Sequence, residues 1–321
     1  MIRSTGALWA MSLALTGLAA ASVAVGSAPV DWPALIAGST LERDILLHLR
    51  LPRVLTAALT GAILGLAGSA LQTLLRNPLA APDVIGFSAG ASAGAAAAII
   101  LAGSLSLVWL GALTGGALGA ALVLALAWRG GLPGNSLILI GVTVGLMLTA
   151  ATDVMLSFSP GIQAAETARF LTGGFAAADW PGVAWLTVAA AAGALVLGWQ
   201  RFSIDRMDLG DDIALSQGLN VRRTRLVTLL ATAGLVSASV SITGPLPFLS
   251  FLAGPIARVL TRQGGTVLAV SALTGAVLAL GADMLARAGP QGMTLPAGLF
   301  TAALGGLSMI VILIRQTGRS R

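Results

Sequence analysis

The sequence predicts an all-α fold, a polytopic transmembrane bundle of about ten helices in a single domain over residues 1–321. Apolar residues make up 56% of the chain and charged ones only 9%, where soluble globular domains carry roughly 25% charged residues. Mean hydropathy is +0.93, so water is not the solvent for most of the surface. Apolar stretches of about 20 residues, the length at which a helix crosses a hydrocarbon core, recur along the whole chain between short polar breaks.

The first such run extends from Ala7 to Val25, behind Arg3. Its tail, Ala-Ser-Val-Ala-Val-Gly-Ser-Ala at 21–28, also fits a secretory signal with its cleavage site. Cleavage would leave nine spans in a changed orientation, so the run is read as a retained first span. The stretch from Asp31 to Arg53 holds Pro33, Glu42, Arg43, Asp44, His48, Arg50 and Arg53. It is too polar to cross and reads as a periplasmic loop, 31–53, with a short surface helix. Further spans are expected near 54–73, 84–103, 106–128, 136–156, 181–199, 226–244, 245–261, 266–286 and 294–314. With the amino terminus in the cytoplasm, only Arg43, Arg50, Arg53, Arg169 and Arg287 of the eighteen arginines fall outside. The remainder, Arg3, Arg76, Arg129, Arg201, Arg206, Arg222, Arg223, Arg225, Arg258, Arg262, Arg315, Arg319 and Arg321, lie at the inner side, as the positive-inside bias requires.

Composition also limits the chemistry. The chain has no cysteine, tyrosine or lysine, and His48 is its one histidine. Metal sites built from Cys/His clusters, cysteine or lysine nucleophiles and a phosphate-binding loop ending in Gly-Lys-Ser/Thr are therefore excluded. The chain does not read as an enzyme and calls for no cofactor; any ATP it depends on is hydrolysed by another chain. The net charge of +6 follows from the positive-inside bias and does not point to nucleic acid. Asp153 and Asp283 stand out as intramembrane charges, each near enough to an interface to be solvated, and Asp283 can pair with Arg287 one helical turn on.

Small residues recur at a spacing of four: Gly86, Gly90 and Gly94; Gly111, Gly115 and Gly119; Gly141 and Gly145. Such stripes let helix backbones approach closely where packing is the glue between helices.

Three polar segments carry more. Arg50-Leu51-Pro52-Arg53 precedes the second span and is followed by Gly61, Gly65, Gly68, Gln72, the run RNPLAAP at 76–82 and Gly86. A charged stretch, LGDDIALSQGLNVRR, occupies 209–223. GPLPFLSFLAGPIARVL at 244–260 is followed by Ala282-Asp283 and Leu295-Pro296-Ala297-Gly298. In this order, over nearly the whole chain, they closely resemble the FecCD/BtuC-like permeases of iron-siderophore, haem and cobalamin ABC importers. The resemblance implies a BtuC-like type II importer fold and a permease of the inner membrane. It also implies two ABC ATPase subunits, a periplasmic siderophore-binding protein and a second permease subunit, identical or related. Two departures, Gly254-Pro255-Ile256-Ala257-Arg258 and Gly305-Gly306-Leu307, are similar to the enterobactin-type branch and favour a ferric catecholate siderophore. Haem or cobalamin import is the alternative, and an ion-coupled secondary transporter is the rival of another class.

By the same resemblance, Arg50, Arg53 and Arg287 dock the binding protein as exposed, rigidly placed cations, with snorkelling to lipid headgroups as the other reading. Asp211, Asp212, Ala214, Leu215, Gly218 and Leu219, within a cytoplasmic loop at 200–225, dock the ATPase. There, acids precede and arginines follow a short helix, matching its dipole; an ordinary charged loop is the plainer reading. Arg76, Asn77 and Pro78 lie near the cytoplasmic gate. Asn77-Pro78 and Pro82 forbid continuous helix there, and an interhelical turn fits the same residues. A bare ferric ion would need ligands along its path, whereas a wrapped chelate needs only a wide chamber with small, apolar walls.

Overall fold

Among the described residues the apolar runs fold as helices and no strand forms. The computed structural model describes residues 2–26, 30–128, 134–289 and 295–317, with the side chains of 2–4 and 310–317 outside that description. The helices are α1 (Ile2–Ala24), α2 (Trp32–Ile36), α3 (Thr40–Asp44), α4 (Leu51–Leu74), α5 (Phe87–Ala102), α6 (Val108–Trp128) and α7 (Gly134–Ser157). They continue as α8 (Gly161–Leu171), α9 (Trp180–Asp208), α10 (Asp211–Ser216), α11 (Val221–Thr243), α12 (Leu249–Thr261), α13 (Leu268–Arg287) and α14 (Ala297–Thr317). Each expected span has its helix. Those holding α1, α4, α6, α7, α9, α11 and α13 are long and apolar enough to cross a membrane, while α5, α12 and the fully described part of α14 are shorter.

Chain direction alternates from one long helix to the next, which defines two ends. At the Arg53 end, Trp180 at the start of α9 donates to Leu47 O at 3.0 Å, and Arg287 at the end of α13 reaches the last turn of α1. At the other, the Arg76 end, Arg258 of α12 meets Gln72 of α4, and Asp205 of α9 accepts from Thr266. Arg222 there lies 3.7 Å over the Trp128 ring, a cation–π contact that ties α11 to α6. Arg129, Arg319, Arg321 and the side chains of Arg3 and Arg315 lie outside the described residues, as do residues 27–29 at the tail of the signal-like run.

Two loop expectations change. The stretch 31–53 is not a loop with one surface helix: α2 and α3 lead into a π-helical turn, Ile45–Arg50, that runs unbroken into α4. Pro52 has no N–H and would crowd the carbonyl four residues back, and the wider π-turn accommodates it at the first turn of α4. The stretch 200–225 is mostly helix as well, because α9 continues to Asp208 and α11 already begins at Val221. What remains is α10 between two tight turns.

Large apolar side chains fill the core and also face outward on the rim, while the closest helix contacts run through glycines. Leu118, Leu195 and Trp199 are 71%, 76% and 70% exposed, an arrangement suited to a hydrocarbon solvent. Inside, a Cβ on Gly275 of α13 would stand 2.0 Å from Gly61 O of α4, and one on Gly94 of α5 would stand 2.0 Å from Gly111 O of α6. The stripes at 86–94 and 111–119 thus face each other.

Candidate functional site

At the Arg53 end, the last carbonyls of α1 have no intrahelical donor, and the helix dipole leaves them negative. Two arginines fill that demand. Arg50 donates to Val23 O and, at 2.9 Å, to Ala24 O. Arg287 donates to Ser22 O at 3.0 Å, to Val25 O at 2.8 Å and to the Ser22 hydroxyl. Beside Arg287 sits Asp283, with its side chain 0% exposed. Arg53 grips it through Nη2 at 2.8 Å and Nε at 3.0 Å, and Arg287 through Nη2 at 3.0 Å.

The expected pairing of Asp283 with Arg287 is present, but its solvated setting is not. The expectation of exposed cations also needs correction: Arg50 is 6% exposed and the Arg287 side chain 5%, while Arg53 keeps 16%. The carboxyl end of α1, distant in sequence, covers them. Asp153, by contrast, is exposed.

Halfway into the bundle two helices begin in its interior. Pro255 lies inside α12 and cannot donate to Phe251 O; Gln72 of α4 supplies that donor at 3.0 Å. Gln72 Oε1 in turn accepts from Arg258 at 3.0 Å, and Arg258 also reaches Thr73 Oγ1 at 3.2 Å. The starts of α5 and α12 meet at Asp83, which sequence reasoning missed. Its side chain accepts from the Ser88 hydroxyl, from Phe248 N at 3.3 Å and from Ser250 Oγ at 3.4 Å, so one buried acidic group ties the starts of two helices together. A usable signal existed, since an acid a few residues ahead of a small-residue helix marks its start. It falls between two expected spans and so does not read as an intramembrane charge.

At the Arg76 end, α10 has two faces. Ala214 is buried and so does not face a partner as expected, and Leu219 is half-buried against the core. Ile213 and Leu215, 47% and 57% exposed, point away together with Asp212 and Gly218. Gly218 adopts a φ of +76° and ends the helix, with Leu219 N returning to Ala214 O at 3.0 Å. Asp211 faces inward, 2.9 Å from Arg225 Nη2 and 3.8 Å from Arg76 Nη2. A residue expected at the gate and one expected at the docking surface are therefore neighbours. Asn77 Oδ1 accepts from Leu79 N at 2.9 Å, turning the chain, and Pro78 is exposed.

The sequence profile of the FecCD transport family matches residues 13–315. The ferric enterobactin transport system permease protein FepG of Escherichia coli (strain K12) is 37% identical over 274 residues, 84% of this chain and 82% of that protein. The vitamin B12 import system permease protein BtuC of Vibrio cholerae serotype O1 is 33% identical, covering 87% of this chain and 86% of its own. Among solved structures, an ABC transporter described as of metal-chelate type, in an inward-facing conformation, superposes with a TM-score of 0.87 at 25% identity, over 96% of this chain and 98% of that one.

Proposed function

Since this chain belongs to the FecCD transport family and is a permease subunit of an ABC importer of that type, we propose that it carries a ferric siderophore, of the catecholate kind, across the inner membrane. The observation that carries this reading is the similarity to the ferric enterobactin permease along most of both chains. The stretch Gly254-Pro255-Ile256-Ala257-Arg258, which points the same way, lies where α12 and α4 share their buried hydrogen bonds. The chain is a transport component and not an enzyme. Two ABC ATPase subunits act at the Arg76 end, which faces the cytoplasm with the amino terminus. A second permease subunit completes the chamber, and a periplasmic siderophore-binding protein delivers cargo at the Arg53 end.

In this reading the exposed face of α10, with Ile213 and Leu215, seats in the ATPase. Asn77 and Pro78 shape the inner mouth. At the outer end Arg53, the most accessible of the three arginines, makes the binding-protein contact. Arg50 and Arg287 hold the rim in shape beneath it.

Uptake into proteoliposomes carrying the assembled importer tests the cargo. ATP-dependent accumulation of a ferric catecholate is expected to exceed that of a ferric hydroxamate, haem or cobalamin by about tenfold or more, a decade corresponding to ~1.4 kcal/mol. Preference for cobalamin would overturn the cargo and keep the importer. Uptake that ran on an ion gradient without ATP would overturn both.

A further inference from the structure

We propose that Arg76 and Asp211 form a strut that passes movement of the ATPase-docking helix to the irregular segment at the inner mouth, so that Arg76 is a positioning residue for coupling. The inference rests on the functional reading above and adds the route by which the partner's motion enters the bundle.

Helix α10 has only six residues and cannot act as a lever by its own length. Its inner attachment is the Asp211 carboxylate, which is shared. Arg225, 2% exposed on the membrane-spanning helix α11, holds it at 2.9 Å and 3.0 Å. Arg76, on the segment that leaves α4, stands 3.8 Å from the same oxygen. Arg76 adopts a φ of +51° as the residue that ends α4, with its N–H returning to Thr73 O at 3.1 Å and Asn77 N–H to Gln72 O at 3.0 Å, and this cap fixes where its side chain leaves the helix. Across from it, Gly210 has a φ of +117°, and a Cβ there would lie 3.5 Å from Arg76 Nη1. The guanidinium therefore lies along the turn that launches α10.

Beyond Arg76 the segment 77–83 runs into the bundle interior and ends at Asp83, which joins the starts of α5 and α12. An ion pair and the chain that follows it thus join the docking helix to the two helices that begin mid-bundle. The Arg76 and Asp211 side chains are 49% and 34% exposed, so the strut adds little to stability. A role in coupling separates from a role in folding on that ground.

The test uses the assembled importer with its ATPase subunits and binding protein in proteoliposomes, measuring ATPase capture, ATP hydrolysis and cargo taken up per ATP hydrolysed. Arg76→Gln is expected to keep capture, hydrolysis and melting temperature, and to lower cargo per ATP about three- to fivefold, the ratio that ~1 kcal/mol represents. Arg76→Lys, which keeps the charge, restores at least half of the loss. Unchanged cargo per ATP in Arg76→Gln overturns the strut, as does loss of capture in step with uptake, which would make Arg76 a docking contact. If the wild-type chain itself captures no ATPase, the functional reading falls first.

Discussion

Asp283→Ala is expected to destabilise the protein by roughly 3–5 kcal/mol, the cost of leaving buried cations without their counter-charge. The carboxylate is fully enclosed, and two arginines converge on it within 3.0 Å. Its removal leaves Arg53 and Arg287 without their shared counter-charge. Arg287 retains its bonds to Ser22 and Val25 of α1, so the damage concentrates on Arg53 and on the seam between α4 and α13. Glycines at 61 and 275 allow no compensating shift at that seam, since their backbones already touch. Thermal unfolding of the detergent-solubilised protein reads the effect. The double change Asp283→Leu with Arg53→Leu is expected to recover a large part of it, because the orphaned charge leaves with its partner. A single Asp283→Ala variant that melted like the wild type would remove the ionic cluster as the fastening of the outer end.

The second large effect concerns the partner. Ile213→Asp combined with Leu215→Asp is expected to abolish stable association with the ATPase subunit while the permease still inserts and folds. Both side chains are exposed in the isolated chain, so the charges cost it nothing inside. At an interface each would forfeit about 1.5–3 kcal/mol of apolar burial, and together they weaken binding about a hundredfold or more. Ala214→Asp provides the contrast, since that side chain is buried and its replacement is expected to impair folding. Co-purification with the ATPase distinguishes the two. Full association of the double variant would mean that α10 docks through some other surface.

The sequence made the spans legible because each is a long apolar run, and among the described residues the arginines group by end as expected. The glycine stripes announced close packing without naming their partners, since a stripe has no address. Contacts that depend on distant segments stayed hidden. Nothing near Arg50 or Arg287 says that the carbonyls of α1, 26 and 265 residues away, will take their guanidiniums. Pro255 inside an apolar run does say that Phe251 O needs a foreign donor, but Gln72 lies 179 residues from that carbonyl. In α10, acids before and arginines after were readable as a short helix. Which face turns inward was not, because a six-residue helix carries too little periodicity to orient it.

The central claim is that coupling to ATP enters through α10 at a cytoplasmic Arg76 end. The chain contains no cysteine, so a single Leu215→Cys gives an unambiguous probe. A membrane-impermeant maleimide is expected to label it in inverted membrane vesicles, to leave it untouched in intact cells, and to be blocked once the ATPase subunit is bound. Labelling from outside intact cells would contradict the orientation and, with it, the docking surface and the route of energy into the bundle.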